Sequence, residues 1–130
     1  MRAVQDDGRA ATILGRRASG QLAHDETLAE LADADCADAL AAVIAERMRI
    51  RQELVTRALE AESDETISAL CRAAGFKVNS YSALLRMRRR RHLGAASTPT
   101  EALTFFSSLT RVSAEKMLPR LVSGLGPAKR

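Results

Sequence analysis

The stretch "ALCRAAGFKVNSYSALLRMRRRRH", residues 69–92, has the pattern of a helix, a glycine turn and a second helix that ends in four consecutive arginines. Apolar residues recur three and four positions apart on both sides of Gly75, and this spacing predicts two amphipathic helices joined by a tight turn. We expect the first helix to end at Gly75, because glycine adopts the left-handed conformation at low cost. The second should begin at Asn79 or Ser80 and end in the arginines 88–91. The pair predicts either a DNA-reading helix-turn-helix or one hairpin of a helical array.

The composition favours helices throughout the chain. Of the 130 residues, 46% are hydrophobic but only 3% are aromatic, and there is no Trp. Strands are rich in β-branched and aromatic residues, so this core predicts an all-α fold in a single domain. We expect about seven short helices arranged as stacked hairpins, HEAT-like or as an orthogonal bundle. The hairpin domain should span residues 20–123, between a flexible or weakly helical segment at 1–19 and a frayed tail at 124–130.

Three segments repeat the plan of a helix, a short turn with one apolar plug and a second helix. At an offset of 26 the aligned apolar pairs are Ile44 with Leu70, Met48 with Ala74, Ile50 with Phe76, Val55 with Tyr81, Ala58 with Leu84 and Leu59 with Leu85. An offset of 36 aligns Leu70, Phe76, Tyr81 and Leu85 with Phe106, Val112, Met117 and Leu121. Hairpins that cannot bury their own apolar faces bury them by stacking on neighbours. The pattern therefore predicts a helical repeat.

Several motifs occur in the order found in one bacterial family. They are a "G-x-L" opening at 20–22, an Ala-rich helix, "V-x-x-x-L" at 55–59, "ALCRAAG" at 69–75 and "ALL-x-x-R" at 83–88. Over residues 16–123 the chain resembles the C-terminal part of an alphaproteobacterial family classed only as a domain of unknown function (number 2336). The resemblance implies an all-helical, HEAT-like array with no known enzymatic activity, and it brings no functional residues with it.

The formal charge of +4 conceals two unequal halves. Residues 1–64 contain 8 basic and 13 acidic residues, whereas residues 65–130 contain 12 basic and 3 acidic residues. This asymmetry predicts an anionic partner, a head-to-tail self-contact, or complementary halves that fold on one another.

Residues 66–91 carry the candidate contacts of the helix-turn-helix interpretation. Small and apolar residues occupy the packing positions on both sides of the turn, and polar residues would stand at the entrance of a recognition helix. The candidate contacts to nucleic acid or another anionic partner are Lys77, Asn79, Ser80, Ser82, Arg86, Arg88, Arg89, Arg90 and Arg91. The competing interpretation is a structural hairpin, because arginines in a last turn also stabilise the negative end of a helix.

Catalytic and metal-binding patterns are absent from the sequence. His24 and His92 are not paired at a metal-ligand spacing, and we expect both on the surface. Cys36 and Cys71 have no CxxC spacing, and we expect them to be small core residues. The acidic residues Asp25, Glu26, Glu30, Asp33, Asp35 and Asp38 lack the glycine and ligand order of a calcium loop, and Asp35 is a candidate helix cap. These patterns predict a protein that is not an enzyme and holds no cofactor or metal.

The sequence contains no run of about 18 apolar residues, so we expect no membrane span and a cytoplasmic location. The interpretation that fits best is a non-enzymatic interaction or regulatory module that binds an unknown protein partner or a second copy of itself. The alternative is a helix-turn-helix DNA-binding protein that uses residues 66–91.

Overall fold

A computed structural model describes residues 2–91, Leu93 and 98–125, with side chains from Gly8 onward. The described residues form eight α-helices and no strand, which confirms the all-α prediction. The helices are α1 (Arg2–Ala18), α2 (His24–Asp33), α3 (Ala37–Met48), α4 (Gln52–Glu60), α5 (Glu65–Ala73), α6 (Val78–Arg90), α7 (Pro99–Ser108) and α8 (Arg111–Ser123).

Helix α1 brings the number of helices to eight instead of about seven. It occupies the segment that the sequence predicted to be flexible or weakly helical. Its residues Ala10 and Ile13 are buried and join the common core. Arg16 at its end forms an ion pair of 3.0 Å with Glu30 of α2. Apolar burial and this ion pair together attach α1 to the rest of the fold.

Helix α6 packs mainly against one helix that is distant in the sequence. Its most extensive interface is with α2, which lies more than 40 residues earlier, and it also contacts α7. Helices α5 and α8 form a second extensive interface, and α3 packs against α4 as a hairpin. Tyr81, Leu84 and Met87 of α6 are almost wholly buried. These contacts are consistent with stacked hairpins, although the largest interfaces join helices that are not consecutive.

The turn between α5 and α6 has the predicted glycine. Gly75 has a φ of +87°, and Phe76 beside it is buried. Helix α6 begins at Val78, slightly earlier than predicted, because its cap comes from another helix. Asp25 of α2 accepts a hydrogen bond of 2.8 Å from the amide of Lys77. Local sequence could not reveal a capping residue that lies 52 positions away.

The prediction that Asp35 caps α3 is wrong. Cys36 is the residue that precedes α3, and it makes no side-chain capping bond. Asp35 instead has a left-handed backbone with a φ of 61°. Its carboxylate accepts a hydrogen bond of 2.7 Å from Arg91, so it joins α2 to the end of α6.

The sequence "GAASTP", residues 94–99, predicts a loop closed by Pro99 at the start of a helix, and α7 begins at Pro99 as predicted. Thr98 accepts a hydrogen bond from the amide of Glu101, and the Glu101 side chain accepts one from the amide of Thr98. Proline suits the first turn of a helix because its missing N–H would be unpaired there. The remainder of the predicted loop, residues 94–97, lies outside the described residues, as do His92 and most of the predicted tail, residues 126–130.

The three aligned hairpins are not buried equally. Ile44, Leu70 and Phe106 are all buried at the first aligned position. At the plug position Phe76 is buried, but its equivalent Val112 is 60% exposed. The third hairpin therefore lacks the buried apolar residue that the second hairpin has in its turn.

The two cysteines are buried, as predicted for small core residues. Burial raises the pKa of Cys71 to about 12, so its thiol stays protonated near neutral pH. No helix in the described part of the chain is both long and apolar enough to cross a bilayer.

Candidate partner-binding groove on helix α6

The run of four arginines does not form one surface. Arg88 points into the core and its side chain is 0% exposed. It donates hydrogen bonds to Asp64 at 2.9 Å, to the carbonyl of Ala61 at 3.0 Å and to the carbonyl of Leu59. The last carbonyls of a helix lack partners within the helix, and they carry its negative end. Arg88 therefore caps α4 and is unavailable to a phosphate or another outside partner.

Arg89 and Arg91 also bind residues of the acidic first half. Arg89 lies 3.4 Å from Asp64 and donates to the carbonyl of Leu93 at 3.2 Å. Arg91 lies 2.7 Å from Asp35. These ion pairs join the acidic first half of the chain to the basic second half. They agree with one of the three interpretations of the charge asymmetry, namely complementary halves that fold on one another.

The remaining candidate contacts near the start of α6 have different environments. Lys77 and Asn79 are exposed, whereas Ser82 is half-buried. Ser80 is buried and donates to the carboxylate of Asp25 at 2.6 Å. Ser80 therefore holds α2 against α6 and is unavailable to a nucleic acid.

A groove of about 430 Å³ lies between α6 and α7. It is lined by Ser82, Leu85, Arg86, Arg89, Arg90, Pro99 and Leu103. The leucines and the proline give it an apolar floor, three arginines line its edge, and none of the described residues that line it is acidic. It brings together four of the predicted contact residues, namely Ser82, Arg86, Arg89 and Arg90.

Aromatic stacking fixes the position of α7 against α6. The rings of Tyr81 and Phe106 stack with their centroids 4.4 Å apart. The guanidinium of Arg72 lies 5.1 Å from the centre of the Phe106 ring and donates to the carbonyl of Leu109 at 2.7 Å. Buried aromatic pairs and a capped helix end make this packing rigid, so the groove is a preformed feature of the fold.

The positive charges of two arginines at the groove edge are only partly neutralised by neighbouring groups. Arg86 and Asp33 are 3.5 Å apart, but their side chains are 58% and 57% exposed, so water screens this pair. Arg90 donates to the carbonyl of Ala32 at 2.7 Å. Within the described residues, no carboxylate forms an ion pair with Arg90. The groove therefore offers an apolar floor beside positive charge that is only partly neutralised.

One family model matches residues 1–119 of the chain, and its description is "Uncharacterised protein conserved in bacteria (DUF2336)". The chain belongs to this family. No curated protein and no solved structure matches the sequence. The match begins at residue 1, so it also covers α1, which the resemblance seen in the sequence left out.

The floor of the groove in this DUF2336 chain could not be found from sequence. Leu85 fits the buried stripe of α6, and Pro99 fits a helix start, but neither pattern reveals that α6 and α7 face each other. Leu103 lies one turn after Pro99 and belongs to the apolar side of α7. The only sequence signal was this amphipathic pattern, which does not name the neighbouring helix.

A second cavity of about 470 Å³ lies between the end of α4 and the end of α8. Its lining includes Glu60, Glu62 and Glu65 together with Arg57 and Arg120. Charges of both signs line it, so it has less selectivity for one sign of charge than the groove. Among the described residues of the DUF2336 chain, no group of three or more His, Cys, Asp or Glu side chains could hold a metal ion.

His24, which the sequence predicted on the surface, is half-buried. Its ring stacks on Phe76, with centroids 4.4 Å apart, and its Nε2 atom is buried without a hydrogen-bond partner. Burial lowers the pKa of His24, and the positive charges of Arg47 and Arg17 lower it further. The neutral ring therefore serves as a packing element at the start of α2.

Proposed function

We propose that this protein is a non-enzymatic interaction module whose α6–α7 groove binds an acidic segment of a partner protein. The observation that carries the proposal is the apolar floor beside Arg86 and Arg90, whose charges are not fully neutralised. Interfaces combine an apolar centre with charges at the edge that select the partner. We expect the module to act in the cytoplasm of a bacterium as a HEAT-like stack of hairpins.

A protein segment suits the groove better than duplex DNA. Leu85, Leu103 and Pro99 have no polar side-chain group to offer a phosphate backbone. An acidic peptide with apolar residues could use both the floor and the arginines.

The helix-turn-helix interpretation remains a second candidate because Lys77 and Asn79 are exposed at the first turn of α6. Recognition helices contact bases mainly through residues near their N-terminal end. This interpretation now depends on fewer contacts, since Ser80 and Arg88 are buried. Any phosphate contacts from the arginines of α6 would come chiefly from Arg86 and Arg90.

Fluorescence anisotropy with two probes separates the candidates. The purified protein would be titrated against a labelled peptide of alternating Glu and Leu-rich blocks and against a mixed-sequence DNA duplex, each at low and physiological salt. We expect the peptide to bind more tightly than the duplex, with an affinity that falls as salt rises. Tight duplex binding with a steep salt dependence would favour the DNA-binding candidate instead.

Charge-reversal variants would locate the contact. The variant Arg86→Glu/Arg90→Glu should lose at least about tenfold in peptide affinity. The matched control is Arg111→Glu/Lys116→Glu, which changes net charge equally at two exposed positions of α8 outside the groove. Equal losses in both variants would mean that net charge, and not the groove, attracts the peptide.

A further inference from the structure

We infer that the groove takes an amphipathic acidic α-helix, an inference that rests on the proposed function and specifies its partner. The groove volume of about 430 Å³ lies within the range of roughly 300–1000 Å³ of ligand-binding clefts. It is large enough for a few apolar side chains but not for a folded domain. The occupant must therefore insert side chains from one element into the space between α6 and α7.

The walls of the groove favour a helix over an extended peptide. Both α6 and α7 use their backbone N–H and C=O groups within their own helices, and the floor consists of Leu85, Leu103 and Pro99. An extended peptide would leave its backbone polar groups without partners on such a surface, which is costly. A helix satisfies its own backbone and presents only side chains.

Two other modes of peptide recognition have no counterpart among the described residues. Strand addition needs an exposed sheet edge, and the described residues contain no strand. Recognition of proline-rich segments uses a groove lined by aromatic rings, and no aromatic residue lines this one. Insertion of a helix into an apolar groove remains, with the arginines selecting acidic residues on the inserted helix.

The spacing of the arginines defines the charge pattern of the partner. Arg86 and Arg90 are four residues apart on α6, which corresponds to about 6 Å along the helix axis. A partner helix that lies along α6 matches this spacing with two carboxylates four residues apart. Its apolar residues, at positions three and four apart, would then face Leu85 and Leu103.

Two peptides of identical composition test the inference. Both contain Leu, Glu and Ala over about 18 residues, or about five helical turns. One places Leu on a single helix face with Glu pairs beside it, and the other distributes the same residues around the helix. We expect the amphipathic peptide to bind at least about tenfold more tightly. Its affinity should fall by a similar factor for Arg86→Gln/Arg90→Gln and for Leu103→Ala, but not for the exposed control Val112→Ala.

Other results would overturn the inference in distinguishable ways. Equal affinity for the two peptides, with sensitivity to Arg86→Gln/Arg90→Gln, would overturn the helix and leave an interaction module that reads charge. Absence of binding to either peptide would overturn the groove function as well. Self-association of the protein that Arg86→Gln/Arg90→Gln abolishes would assign the groove to a second copy of the chain and also overturn the inference.

Discussion

The inner and outer faces of α6 use the same residue type for opposite purposes. On the inner face, Arg88 is 0% exposed and donates hydrogen bonds to Asp64 and to the last carbonyls of α4. On the outer face, Arg86 is 58% exposed and forms one long ion pair with Asp33. The two residues are both arginines and lie two positions apart in the sequence, yet only Arg86 is accessible to a partner.

The difference follows from the geometry of the helix. Residues two positions apart on a helix point about 200° apart, so a run of four arginines necessarily faces several directions. A buried charge is costly unless it is paired and hydrogen-bonded, and Arg88 meets Asp64 and the carbonyls that end α4 through its two terminal nitrogens. A basic run at a helix end therefore identifies neither a binding surface nor a structural cap until its neighbours are known.

We expect the greatest loss of stability from replacing the buried arginine on the inner face of α6. Arg88→Met keeps much of the side-chain length but removes the buried donor 2.9 Å from Asp64 and the hydrogen bonds of Arg88 to the carbonyls that end α4. We expect a loss of about 3–5 kcal/mol in the free energy of unfolding, as when one partner of a buried ion pair is removed. Urea denaturation would measure it. The matched outer variant Arg86→Met should lose less than about 1 kcal/mol, and equal losses would abolish the distinction between the faces.

A second polar contact on the buried face of α6 should also contribute to stability. The hydroxyl groups of Tyr81 and Ser68 are hydrogen-bonded to each other in the core. Ser68→Ala or Tyr81→Phe alone leaves one buried hydroxyl without its partner, and each should cost about 1–3 kcal/mol. The double variant should cost less than the sum of the two single variants. Additive losses in urea denaturation would mean that the hydroxyl groups do not depend on each other.

The turn that leads into α6 should show an intermediate effect. Gly75 has a φ of +87°, and a Cβ there would meet only Arg47 at an ordinary distance of 3.7 Å. The cost of Gly75→Ala is therefore conformational, about 1–2 kcal/mol in thermal or urea unfolding. Gly15→Ala is the control, because Gly15 lies within α1 with open space around it, and alanine should stabilise it by about 0.5–1 kcal/mol. The same sign for both would contradict the assigned turn.

The smallest expected effect is on the dependence of stability on pH. The folded pKa of His24 is below its ordinary value of 6.5, so the folded state binds fewer protons than the unfolded state as pH falls through that range. The free energy of unfolding should therefore decrease from about pH 8 to about pH 5. His24→Phe can keep the stack on Phe76 without titrating, so its decrease should be shallower. Parallel curves for the two proteins would remove His24 as a source of this dependence.

Sequence patterns predicted the features that depend on local chemistry. The helical class, the glycine turn at Gly75 and the helix start at Pro99 all follow from the conformational preferences of nearby residues. The spacing of hydrophobic residues likewise placed Cys71 in the core. These features need no knowledge of which helices pack together.

The remaining features depend on contacts between distant segments. Asp25 caps α6, and Asp35, which was predicted to cap the next helix, pairs with Arg91 instead. Arg88 was a candidate surface contact because its burial depends on where α4 ends. The groove needs α7 beside α6, which no local pattern specifies. Long-range packing thus decided which charged residues are structural and which are exposed.

The binding of an acidic partner helix between the outer face of α6 and the facing side of α7 can be mapped residue by residue. NMR spectroscopy of the isotope-labelled protein, titrated with the amphipathic acidic peptide, tests it most directly. We predict that the amide signals that shift most belong to residues around Ser82, Arg86 and Leu103, while those of α1 and α3 stay in place. Shifts concentrated on α1 and α3, or no shift at saturating peptide, would contradict the claim.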